Sequence, residues 1–163
     1  MWQRLFRLPR QLTAIWKHPM NRCSRLDAIL RWVRWQVGAR LVPGRILVPF
    51  VNETCLISRA GETGVTGNLF YGLAEMEEMA LTLHLLRSGD LFIDAGANIG
   101  SFTVMAAGAV GASVIAFEPL PETVTRLEAN LRVNNLGLRL NHSQNATRTA
   151  IATADRKFLA SLS

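Results

Sequence analysis

Asp90-Leu91-Phe92-Ile93-Asp94-Ala95-Gly96-Ala97-Asn98-Ile99-Gly100 is the stretch on which the reading of this 163-residue chain turns. Leu91-Phe92-Ile93 is apolar at every position, as expected of a central parallel strand. A turn carrying Gly96 and Gly100 follows. Beyond it, Ser101 to Ala107 is expected to be a helix and Ala112-Ser113-Val114-Ile115-Ala116-Phe117 a second buried strand. A further helix opens at Pro121, with Val124, Leu127 and Leu131 on one face and the pairs Glu122–Arg126 and Glu128–Arg132 one turn apart. Strand, helix, strand, helix is a βαβα unit with a right-handed crossover, so the fold class is α/β.

The same region explains a feature that hydropathy alone misreads. Ala95 to Phe117 is 23 residues without a charge, long enough to cross a bilayer. It is poor in Leu, holds four glycines and is bracketed by Asp94 and Glu118. A loop, a short helix and a strand account for it better than a membrane span, because insertion depends on the Leu, Ile, Phe and Val content that is thin here.

In an open parallel sheet, ligands collect at the carboxyl ends of the strands, where a glycine turn lets them approach the backbone and the helix N-terminus. Glu118 closes the second strand 18 residues beyond Gly100, where a carboxylate can accept both hydroxyls of an adenosine ribose. Gly96-x-x-x-Gly100 is neither the G-x-G-x-x-G of dinucleotide binders nor a P-loop, so a ligand without a pyrophosphate is expected.

The likeness runs further along the chain. Gly72, Leu86-Arg87-Ser88-Gly89-Asp90, Phe92 to Gly100, Ala116-Phe117-Glu118-Pro119 and Leu127-Glu128-Ala129-Asn130-Leu131-Arg132-Val133-Asn134-Asn135 stand in one order. Together they resemble the FkbM family of class I S-adenosylmethionine-dependent methyltransferases over roughly residues 60–136. The resemblance implies a Rossmann-like fold and transfer of a methyl group from S-adenosylmethionine to a hydroxyl of a small molecule or sugar. It also implies a cofactor turn of Asp94, Gly96, Ala97, Asn98 and Gly100 holding the methionine end, with Glu118 on the ribose. No catalytic base and no metal ligand follow from it. A full methyltransferase sheet needs about 100 residues beyond the second helix, at about 30 per further strand and helix. An incomplete parallel sheet, with little activity of its own, is therefore expected.

Around this core the chain divides by composition into a basic helical arm (1–44), a β-hairpin and loop (45–72), the partial cofactor-binding domain (73–140) and an irregular tail (141–163). Residues 1–45 hold ten Lys/Arg against Asp27 alone, net +9, and residues 46–163 hold eight against eleven acids, net −3. All four tryptophans, Trp2, Trp16, Trp32 and Trp35, lie in the arm. There, Leu26, Ile29, Leu30, Val33 and Val37 recur at helical spacing, a stripe expected to dock on the following domain. Such a Trp- and Arg-rich helix can also lie on anionic lipid or RNA, which supplies the competing reading of a non-catalytic binding module; nucleic acid is the weaker partner.

Arg45 to Val51 and Thr54 to Ser58 read as a hairpin turning at Asn52-Glu53, with Pro49 confined to an edge. Gly61 to Asn68 reads as a tightly bent loop, and Leu73 to Arg87 as a helix whose Met76, Met79, Ala80 and Leu83 are packing positions. Leu138-Arg139-Leu140 can begin a third strand. His84 has no second ligand within metal-binding spacing. Cys23 and Cys55 form neither a zinc motif nor a disulfide framework, and the first residues are too interrupted by Arg, Gln and Pro for a signal peptide. A cytoplasmic location is expected, in which the sequons at Asn52, Asn141 and Asn145 carry no sugar.

Overall fold

The computed structural model describes residues 7–42, 44–59, 64–141 and 148–153. They form an α/β chain in two compact units, one from Met1–Ile46 with Ser58–Met76, the other from Leu47–Ile57 with Glu77–Ser163.

The first unit is helical. Helix α1 (Arg7–Lys17) leads through a single 3-10 turn, Pro19–Asn21, into α2 (Arg25–Leu41), and α3 (Gly64–Tyr71) packs against α2. Asn21 ties the three together. Its side-chain amide donates to the Ile15 carbonyl at 3.0 Å and the Phe70 carbonyl at 2.9 Å, both in the last turn of a helix. Carbonyls there lack an intrahelical donor, so one buried amide closes two helix ends. Its Oδ1 accepts from Arg31 at 3.2 Å. The expected loop at Gly61 to Asn68 is in fact α3 from Gly64 onward; residues 61–63 lie outside the described residues.

Within its own unit, α2 does not pack through the expected stripe. Ala28 and Trp35 are the buried residues of this helix, while Leu26, Leu30, Val33 and Val37 are exposed. The small Ala28 permits close helix approach and Trp35 supplies the largest apolar area, so α1 and α3 take that face and leave the aliphatic one outside.

Strands β1 (Arg45–Pro49) and β2 (Cys55–Arg59) pair as a two-stranded sheet. The tip closes where the Thr54 N–H donates to the Val51 carbonyl at 3.0 Å, around Asn52 with φ of 52° and Glu53.

The second unit is built on a four-stranded sheet of β3 (Leu91–Ala95), β4 (Ser113–Glu118), β5 (Gly137–Asn141) and β6 (Arg148–Thr153), in the order β3-β4-β6-β5. Helix α4 (Met76–Leu85) precedes it, with Met79 buried and His84 exposed. Between β3 and β4 runs α5 (Ser101–Val104), which widens into a π-helical segment at Met105–Val110. Helix α6 (Pro121–Val133) follows β4 and buries Val124, Leu127 and Leu131, as its spacing predicts.

β3 and β4 are parallel, with Asp94 opposite Ala116 and Ala95 opposite Phe117. The rest of the sheet corrects the expectation of parallel strands alone, for β6 lies antiparallel to both β4 and β5. Only six residues separate β5 from β6, and a parallel return needs a crossover of a dozen or more. β5 therefore runs in the direction of β4 but is held one strand away from it. β6 also replaces part of the irregular tail; 142–147 and 154–163 lie outside the described residues. No helix among the described residues is long and apolar enough to cross a membrane.

Candidate cofactor-binding site

The carboxyl ends of β3 and β4 stand side by side, and the turn from Gly96 to Gly100 spans them. Its conformation is set by three consecutive demands. Gly96 has φ of 84°, Asn98 of 50° and Gly100 of 90°, a left-handed region open to glycine and tolerated by asparagine. The Gly96 and Ala97 N–H groups both donate to the Phe117 carbonyl, at 2.9 and 3.0 Å, and the Gly100 N–H to the Ala97 carbonyl at 2.8 Å.

The two glycines serve different ends. A Cβ on Gly100 would fall 2.3 Å from Leu127 Cδ1, so this position lets α6 close against the turn. A Cβ on Gly96 would meet nothing within 4 Å, so the backbone there faces open space. Of the residues marked out by sequence, Gly96 and Asn98 are exposed, whereas Asp94, Ala97, Gly100 and Glu118 are buried.

Glu118 is 6% exposed and works as a clasp. Its Oε2 accepts the Asn98 N–H and its Oε1 the Leu120 N–H, each at 2.9 Å. One carboxylate thus fixes the glycine turn and the entry to α6, and each oxygen retains a lone pair for a further donor. Asp94, 8% exposed, accepts the Thr103 hydroxyl at 2.5 Å, which joins the end of β3 to the first turn of α5. Two buried carboxylates at one sheet end favour a ligand carrying positive charge.

Two supporting residues were not singled out for the site in the sequence. Thr103 gives no pattern signal. Asn130 does: it lies on the α6 face of Leu127 and Leu131, so its amide had to be buried and paired. It is 1% exposed; its Nδ2 donates to the Ile99 carbonyl at 2.7 Å and its Oδ1 accepts the Ile57 N–H at 2.7 Å. One turn later, Asn134 accepts the Cys55 N–H and donates to the Cys55 carbonyl, each at 2.8 Å. Two side-chain amides, Asn130 in α6 and Asn134 just after it, thereby stand in for a neighbouring strand along β2. Burial pushes the Cys55 thiol above the ordinary cysteine range, which lowers its thiolate fraction. Among the described residues no group of three His, Cys, Asp or Glu is placed to hold a metal.

No family model, curated protein or solved structure matches this chain.

Proposed function

We propose that the second unit is the S-adenosylmethionine-binding part of an FkbM-type methyltransferase, Rossmann-like from β3 to α6, acting on a hydroxyl of a small molecule or sugar. The observation that carries the reading is Glu118, buried at the carboxyl end of β4 and bonded to the glycine turn that follows the adjacent parallel strand. Ligands of such sheets bind at this end.

The residues present fit the group. The second lone pairs of Glu118 are suited to the paired hydroxyls of a ribose, Gly96 leaves its backbone open to approach, and Asp94 adds negative charge for a cationic ligand. When bound, S-adenosylmethionine supplies an electrophilic methyl group. The protein's part is then to orient, and orientation is the larger share of the rate enhancement for such a transfer. Cys23 and Cys55, both free thiols, fit the cytoplasmic location we assign to it.

Calorimetry on the purified chain tests this reading. Binding of S-adenosylmethionine and S-adenosylhomocysteine is expected, and tighter binding of NAD would overturn it. Glu118→Ala should weaken that binding, and because it also frees two backbone donors it should lower stability by about 1.5–3 kcal/mol. Unchanged affinity in the folded variant removes Glu118 from the site.

A further inference from the structure

The exposed face of α2 can be read independently of the methyltransferase proposal. Leu26, Leu30, Val33, Val37 and Leu41 succeed one another at steps of four, three, four and four residues. At about 100° per residue they fall within a strip roughly 80° wide. Their exposures run from 41% at Val33 to 77% at Leu26. A chain that buries Ala28 and Trp35 on the opposite side of the same helix has left five aliphatic side chains in water.

The strip is bordered by cations. On the helical wheel Arg34 lies beside one border and Arg40 beside the other, both exposed. At the N-terminal end, exposed Arg25 sits 5.2 Å over the ring of Trp16, which is itself 44% exposed. Asp27 is the one acid among the first 45 residues, against ten Lys/Arg.

We propose that α2 is a membrane-surface helix, lying in the headgroup region of an anionic bilayer with this strip inserted and its arginines on the lipid phosphates and carboxylates. Charge complementarity selects this occupant. A second copy of the chain packed strip to strip would bring arginine borders of like sign together. RNA would engage the arginines but gain nothing from five aliphatic side chains, since single strands bind through aromatic stacking and backbone charge. An anionic lipid surface uses both.

The test is co-sedimentation of the full chain with vesicles of phosphatidylcholine alone or mixed equally with phosphatidylserine. The wild type should bind the mixed vesicles and bind pure phosphatidylcholine about tenfold less. Leu30→Glu/Val37→Glu should lower binding about tenfold or more at unchanged far-ultraviolet circular dichroism. Leu26→Gln/Leu41→Gln, at the strip's most exposed ends, gives the same reading with less demand on the fold. Three results would overturn the proposal: no vesicle binding by the wild type; binding that the glutamine variant retains in full; or a wild-type dimer that this variant dissolves while neither binds vesicles. RNA binding tighter than vesicle binding at equal salt would overturn it as well.

Discussion

The glycine turn separates two kinds of glycine by what occupies the space beside them, and substitution should separate them again. Gly100→Ala forces a Cβ against the buried Leu127 at positive φ, so a loss of about 2–4 kcal/mol is expected in chemical denaturation. Gly96→Ala meets only the left-handed penalty, about 1–2 kcal/mol, and should impair ligand binding more than folding. Equal effects of both on stability would contradict these roles. Elsewhere, His18 stacks on Tyr71 with ring centroids 4.7 Å apart and leaves a buried Nδ1 without a partner. Burial depresses its pKa below the ordinary histidine value. The unfolded chain therefore binds the proton more readily, and stability falls as pH drops through about 6.5 towards the lower folded value. His18→Gln should flatten that part of the melting-temperature profile.

Among the elements, β6 decides how the sheet is completed. Ala152 is wholly buried in a strand paired on both sides, so Ala152→Pro removes a ladder donor where proline is not tolerated. A cost of about 3 kcal/mol or more is expected, seen as a melting temperature lower by more than about 10 °C; an unchanged transition would place β6 at an edge. β4 and the packed face of α6 were legible in the sequence because apolar runs and three-to-four spacing report burial directly. β3 was legible as a strand, but its apolar run suggested a central position, whereas among the described strands it lies at the edge with Leu91 and Ile93 exposed. β6 was hidden although Thr149, Ile151 and Thr153 put β-branched residues at every second position, because the intervening alanines and the surrounding Ser, Thr and Asn read as tail. The outward turn of α2 was hidden for another reason. Periodicity identifies an apolar stripe but not its partner, and this helix carries a second face, at Ala28 and Trp35, that packs better. In the site, Asp94, Gly96 and Glu118 could be placed by their position at strand ends. The pairings of Thr103 and Asn130 could not, since they depend on side chains meeting across elements.

For the whole molecule, the strand that carries Asp94 is paired on one side only among the described strands, and it presents Leu91 and Ile93 at 56% and 61% exposure. Such an edge is a template for association. Ile93→Lys is expected to reduce concentration-dependent assembly in sedimentation velocity while shifting stability by no more than about 0.5 kcal/mol. A variant that assembles like the wild type would move the contact elsewhere. The amide of Asn130 has a wider reach than its two bonds suggest. Because it grips the Ile57 N–H and the Ile99 carbonyl at once, the order of the hairpin and the order of the glycine turn share one free energy. Thermodynamic reciprocity then runs both ways: a ligand that stills the turn must slow deuterium uptake at Ile57, and a hairpin that frays must loosen the ligand by the same factor.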